Sequence, residues 1–325
     1  MLIAGDVGGT KTLLGLFDPR RARPRPDAIH SFETTAYGDL TSIVAAFLEQ
    51  PGVANQPIES AVFGVAGPVM GDTADLTNVP WRIDARKLAS RFGFARVALL
   101  NDLEAMAYGV TVLDESEVHV LQRGQPSKGG NIGIVAAGTG LGEATLHDAG
   151  GRLISVSSEG GHADFAARTE REIRLVRWLL ADHGRAEVED VVSGRGLLNI
   201  HGVAHSGECR ASVDLKSPDA PATITRAGLD GTCPGCVEAL DMFVEAYGAE
   251  AGNLALRFVT TGGIFVGGGI APKILPALTD GRFMRAFTAK PPFEALLASV
   301  PVNVILNADT ALIGAAVLAA RNFEV

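Results

Sequence analysis

GDVGGTKT, residues 5–12, decides how this chain is read. It follows at once on the start MLIA, so it closes a first short strand, and TLLGLF reads as a second strand leaving it. Glycine has no Cβ, so backbone N–H groups there can turn tightly and approach a ligand closely. Such amides, together with the hydroxyls of Thr10 and Thr12, suit phosphate oxygens. Asp6, at the strand end, suits a magnesium ion that keeps its waters. An ordinary Gly-Gly hairpin would look the same. The lysine-bearing loop GxxxxGK[ST] is not matched, and no GxGxxG leads from a strand into a helix here.

A second stretch, AAGTGLG at 136–142, again sets Gly138, Thr139, Gly140 and Gly142 between two strands. NIGIVAAGTGLGEATLHDAGGRLISVSSEGG repeats the order strand, glycine turn, strand, turn, strand, which points to internal duplication. Two glycine hairpins in matching places read as two sides of a phosphate clamp. A third run, FVGGGI at 265–270, puts Gly267, Gly268 and Gly269 between a buried strand and a helix. It suits a nucleotide base or ribose on bare backbone; taken alone, close strand–helix packing explains it better.

Periodicity predicts α/β structure throughout. AIHSFET, SAVFGVAG, RVALLND, TGGIFVGGG and VNVILN read as strands. LTSIVAAFLE, LEAMAYGV, PGCVEALDMFVEAYGAEAGNLALRFV, APKILPAL and ADTALIGAAVLAA read as helices. DARKLASRFG begins with an acid and stops at Gly93, as a capped helix does. Residues 206–222 are polar with two prolines and read as a surface excursion.

Polar residues after buried strands mark the candidate chemistry. In LLND, residues 99–102, Asn101 and Asp102 follow a hydrophobic strand, where open α/β sheets bind ligands. Asp102 is a candidate general base for a hydroxyl nucleophile, or simply the cap of the next helix. In SSEGGHADF, residues 157–165, Glu159 and His162 flank two glycines and converge on the hydroxyls of a sugar more readily than on a metal. Glu189 stands out by no local signal. Cys233-Pro-Gly-Cys236 is redox-like or half of a zinc site, but two thiols at a helix start is the favoured reading. Cys209 and several histidines stand at no recognisable zinc spacing.

The bulk numbers narrow the class. With 325 residues, 47% hydrophobic and 20% charged, the chain can build two ordinary domains. A net charge of −9 argues against duplex nucleic acid as a partner. PRRARPRP, residues 19–26, is the one dense basic run, and its prolines make it a solvated loop. Three cysteines make no disulfide framework in a chain this long. No leader-like start and no apolar run of membrane-spanning length is present, so the expectation is a cytoplasmic protein without membrane contact.

The blocks GDVGGTKT, GVAGPV, LTNVPW, LLNDLEAMAYG, AAGTGLG, SSEGGHADFAARTE, VVSGRGLLNIH and GGIFVGGGIAPKI, in that order, resemble the bacterial glucokinase family over nearly the whole chain. The resemblance implies an α/β, duplicated ribonuclease-H-like (actin-like ATPase) fold of two lobes with a central cleft. Residues 1–111 plus 307–325 would form the smaller lobe and 112–306 the larger. It implies ATP-dependent phosphorylation of D-glucose with Mg2+ bound through Asp6, and Asp102 as base. Gly5, Asp6, Val7, Gly8, Gly9, Thr10 and Thr12 would hold phosphate, with Gly138 and Thr139 opposite and Gly267–Gly269 near the adenosine. Asn78, Asn101, Asp102, Glu159, His162 and Glu189 would hold glucose; Glu187 is a second candidate for the last place. A homodimer is implied too. Since no cysteine follows His162 before Cys209, no structural zinc is expected. Lys11 stands where asparagine is frequent in such enzymes. Open alternatives are another hexose, a polyphosphate donor, or a non-catalytic sugar sensor.

Overall fold

The computed structural model describes residues 1–77, 79–205 and 209–321. The chain divides into two compact units. One comprises residues 1–114, 155–157 and those from 307 onward; the other comprises 115–154 and 158–306.

The first unit begins with three antiparallel strands, β1 (Leu2–Val7), β2 (Lys11–Phe17) and β3 (Pro26–Glu33). Helix α1 (Leu40–Leu48) follows, and then β4 (Ser60–Val65), which pairs parallel to β1. Three short strands, β5 (Val69–Met70), β6 (Thr73–Asp75) and β7 (Arg82–Asp84), make a small sheet of their own. Two or three residues carry no readable period, so the sequence did not announce them. Helix α2 (Ala85–Phe92) is capped as expected: Asp84 accepts the N–H groups of Arg86 and Lys87, and Gly93 closes it in the left-handed region. Strand β8 (Arg96–Asn101) pairs parallel to β4 and feeds α3 (Asp102–Gly109).

The main sheet runs β3-β2-β1-β4-β8. β4 is buried along its full length because the sheet is covered on both faces. Leu40, Ile43, Val44 and Phe47 of α1 pack with Val7, Leu14 and Phe63 on one side. On the other, α3 and the C-terminal helix (Thr310–Arg321) pack against each other and against β1 and β4. Gly314 of that helix lies so close to α3 that a Cβ would run into the carbonyl oxygen of Ala105. Gly314→Ala is therefore expected to destabilise the protein by about 1–3 kcal/mol, the usual cost of overpacking. A thermal melt reads this directly, and an unchanged melting temperature refutes it.

The second unit opens with β9 (Val118–Gln122), a strand with no counterpart in the sequence reading, then β10 (Ile132–Ala137), β11 (Leu141–Asp148) and, apart from residues 155–157, β12 (Leu153–Ser158). Helices α4 (Glu170–His183), α5 (Gly194–Ala204), α6 (Ala220–Leu229) and α7 (Pro234–Phe258) follow. Helix α6 starts inside the stretch read as a surface excursion, with Pro221 in its first turn, where a missing N–H costs nothing. After β13 (Gly263–Gly267) the expected single helix APKILPAL divides at its prolines. A 3-10 turn spans Ala271–Ile274 and α8 spans Leu275–Thr279. Then come α9 (Arg282–Thr288), α10 (Glu294–Ser299) and β14 (Val302–Ile305).

The second sheet runs β12-β11-β10-β13-β14-β9. β10 pairs antiparallel to β11 and parallel to β13, as β1 pairs with β2 and β4. The repeated glycine hairpin of the sequence is thus a repeated fold. Helix α7 is the buried spine of this unit. Its Tyr247 hydroxyl accepts the Ala137 N–H at 3.1 Å and lies 3.1 and 3.0 Å from the carbonyl oxygens of Val135 and Gly267. That one side chain ties the ends of β10 and β13 just before their glycine runs. Among the described residues no helix is long and apolar enough to cross a membrane.

Candidate active site

The first unit gathers its polar groups at the carboxyl ends of β1 and β8. The β1–β2 turn closes through Gly8 N–H to the Lys11 carbonyl at 3.0 Å, leaving Gly8 and Gly9 half-buried and Thr10 exposed. Three residues expected at the phosphate turn have a packing role. Gly5 lies within β1, where a Cβ would meet the Phe63 ring at 2.5 Å, so its glycine serves the core. Val7 is fully buried and its carbonyl accepts the Ala66 N–H. The Thr12 hydroxyl is fully buried and bonded to that of Thr34 at 2.9 Å, which in turn donates to the Gly8 carbonyl. Thr12 therefore braces the turn from below.

Asn101, rather than Asp102, caps α3. Its Oδ1 accepts the Leu103 N–H at 3.0 Å, while Glu104 accepts the Asn101 backbone N–H. The amide of Asn101 also donates to the Gly67 carbonyl at 3.3 Å. Asp102 is the first helical residue, half-buried, with Oδ1 accepting the Leu103 N–H at 2.9 Å. Gly64 of β4 lets this first turn approach the sheet, since a Cβ there would touch the Ala105 Cβ at 2.9 Å and the Asp102 Cα at 3.7 Å. Burial first, then the charges of Asp102 and Asp309, push the Asp6 carboxyl from 3.8 up to about 6. Asp309, just ahead of the C-terminal helix, carried no sequence signal. Asn78 lies outside the described residues.

In the second unit, Glu159 precedes and His162 ends a 3-10 turn, and both are exposed. His162 Nδ1 pairs with Glu187 Oε1 at 3.1 Å. That hydrogen bond, against the effect of burial and aided by the charges of Glu187, Glu189 and Glu159, raises the imidazole above its ordinary pKa. Glu189 lies in the same cluster, with donor atoms of His162, Glu187 and Glu189 all within 4.8 Å of one another. Its Oε2 accepts the Leu141 N–H at 2.9 Å, and a Cβ on Gly140 would collide with that oxygen. Glu189 thus backs the β10–β11 turn, and Glu187 orients the histidine. Arg195 spans the acids, 2.9 Å from Asp190 and 3.5 Å from both Glu187 and Glu189. These partners were legible only as a choice between two glutamates.

The glycines in the two runs of the second unit differ in kind. Gly138 has open space where a Cβ would stand, and its carbonyl accepts the Gly194 N–H at 2.8 Å. Gly268 has φ +82°, and a Cβ there would run into the backbone of Ala137, so packing demands it. The Gly267 carbonyl is held by Tyr247, while Gly269 is open. Beside these runs lies a cavity of about 580 Å3, lined by Gly138, Thr139, Leu198, Pro221, Thr225 and Ile270 among others. Its volume and mostly apolar wall suit a nucleobase and ribose. Helices α5 and α6 supply most of the wall, and neither was singled out from sequence.

A family model described as Glucokinase matches residues 3–322. The glucokinase of Nostoc punctiforme is 40% identical over 341 residues, covering 99% of both chains. Among solved structures, a glucokinase from an Antarctic psychrotroph superposes with a TM-score of 0.87 at 28% identity, covering 98% of each chain. A ROK family glucokinase from Streptomyces griseus, in complex with glucose and AMPPNP, superposes at 0.66 with 21% identity, covering 98% of this chain and 99% of that one. The fold is the duplicated ribonuclease-H-like fold of actin-like ATPases.

Proposed function

The chain belongs to the glucokinase family, and we propose that Asp102 is the general base in transfer of the γ-phosphoryl group of ATP to the 6-hydroxyl of glucose. The protein is a sugar kinase of the hexokinase and glucokinase type. The observation that carries the assignment is Asp102 itself, a carboxylate fixed at a helix N-terminus and electrostatically coupled to Asp6 at the phosphate turn.

In this reading the Asp102 carboxylate takes the proton as the sugar oxygen bonds to phosphorus. The bond from phosphorus to the bridging oxygen breaks, and ADP leaves. Backbone N–H groups of Gly9 and Thr139, in the turns that Gly8 and Gly138 shape, bind the phosphates with the Thr10 hydroxyl and stabilise the charge that develops there. Asn101, Glu159, His162 and Glu189 bind the sugar hydroxyls, with Asn78 as a further contact. Each buried polar group left unpaired costs about 1–3 kcal/mol, which discriminates against sugars with misplaced hydroxyls. The apolar cavity beside Gly138 takes the adenosine, with Gly269 as bare backbone at its edge. Cytoplasmic glucose 6-phosphate for glycolysis is the product, and the working form is a homodimer, which light scattering tests.

Magnesium fits the first unit because the charges of Asp102 and Asp309 both act on the Asp6 carboxyl there. Asp6 would hold the ion, whose chemistry is to neutralise phosphate charge. A proton on Asp6 removes its charge, so kcat/KM for ATP is expected to fall as pH drops through about 6 and to level off above it. Asp6→Asn should abolish this acid limb. A profile flat from pH 5 to 8 in the wild type would remove Asp6 from the role.

The activity itself is tested by coupled measurement of ADP with and without glucose, then with other hexoses and with polyphosphate as donor. Glucose-dependent ADP release is expected. Ligand binding without ADP release would make the protein a sensor instead.

A further inference from the structure

Outside this site, the second unit brings together every thiol of the chain. Cys209 Sγ lies 3.8 Å from Cys233 Sγ and 3.9 Å from Cys236 Sγ, and Cys233 Sγ lies 3.3 Å from His205 Nε2. All three cysteines are free, and Cys233 and Cys236 are buried. Donor atoms of His201, His205, Cys209 and Cys236 also fall within 4.8 Å of one another. A tetrahedral zinc with Zn–S of about 2.3 Å and Zn–N of about 2.0–2.1 Å has edges of about 3.8 Å between sulfurs and about 3.6 Å from sulfur to nitrogen. The three measured separations, two between sulfurs and one from sulfur to nitrogen, lie close to those edges. Two more observations describe the histidines beside these thiols. His201 is 4% exposed with its ring 4.2 Å from that of His205, yet neither of its buried ring nitrogens has a hydrogen-bond partner. Gly235, between the paired cysteines, is where a Cβ would collide with the His205 imidazole, so the Cys-Pro-Gly-Cys turn is shaped to admit that ring.

We propose that Cys209, Cys233, Cys236 and His205 form a structural site for one zinc ion. This reverses the expectation of no structural zinc, which rested on sequence spacing alone. Three thiolates and an imidazole leave no open position, as in structural rather than catalytic zinc sites. Binding releases the thiol protons and changes no oxidation state. The site pins the residue that ends α5, Cys209 and the first turn of α7. Helices α5 and α6 form the cavity wall, so the ion braces the wall from outside the cavity. His201 stacks on the ligand His205 without binding the metal.

The test uses the full chain expressed with zinc in the medium, dialysed, and analysed by inductively coupled plasma mass spectrometry. About one zinc per chain is expected, with the three thiols unreactive toward a thiol reagent until the protein is denatured with a chelator. Cys209→Ser and Cys236→Ser should reduce bound zinc to background, whereas His201→Ala should retain it. Cobalt substitution of the wild type should give thiolate charge-transfer absorption and the strong visible bands of a tetrahedral site. Wild-type protein with background zinc and three free thiols, or with a Cys233–Cys236 disulfide, overturns the proposal even where a variant fails to fold. Zinc retained by Cys233→Ser but lost by His201→Ala overturns the ligand assignment.

Discussion

Asp102→Asn is expected to bind glucose with affinity within about threefold of wild type and to lose kcat by about 10³-fold, or about 4 kcal/mol of barrier. The substitution is close to isosteric. The asparagine oxygen still accepts the Leu103 N–H that Asp102 Oδ1 holds at 2.9 Å, so the first turn of α3 stays in place. Asn101 remains the cap, through its own bond to the Leu103 N–H. What disappears is the proton acceptor. Relief of its repulsion on Asp6 should also bring the Asp6 carboxyl down, so the acid limb of any residual activity moves to lower pH. Steady-state kinetics with a glucose titration by calorimetry separates binding from turnover. Turnover within tenfold of wild type would exclude Asp102 as the base.

Glu189→Ala should raise the KM for glucose about 100-fold, near the upper end of about 1.5–3 kcal/mol for a charge-assisted hydrogen bond, and should lower kcat as well. Two losses coincide there. The Leu141 N–H at the start of β11 loses its acceptor, and the group of His162, Glu187 and Glu189 loses one of its carboxylates. Arg195 keeps Asp190 and Glu187, so the 187–195 segment should remain folded. Glu187→Gln provides the contrast. It leaves the Leu141 contact intact and acts through the His162 ring, so a smaller rise in KM is expected. A Glu189→Ala protein that melts earlier but keeps its glucose KM would make Glu189 a brace for the turn and nothing more.

Much of the frame was legible because it is local. The cap at Asp84, the stop at Gly93 and the two glycine hairpins rest on residues within one turn of one another. Strands β5 to β7 were too short to show a period, and Pro272 and Pro276 divided a helix that apolar spacing alone made continuous. In the site, residue type identified candidates but packing sorted them. Gly5, Val7 and Thr12 serve the core of the first unit, while Gly8, Gly9 and Thr10 remain at its surface.

By itself, then, the order of strands, turns and helices along the chain determined the duplicated α/β plan and the acid that opens α3. Only the tertiary structure decided that Glu187 holds His162 while Glu189 backs the turn, that α5 and α6 wall a cavity, and that Cys209 meets thiols 24 and 27 residues away. The physical reason is range. Backbone periodicity and turn chemistry act over a few residues and are written in neighbouring letters. Convergence of side chains from separate elements depends on how those elements pack, and no spacing in the sequence records it.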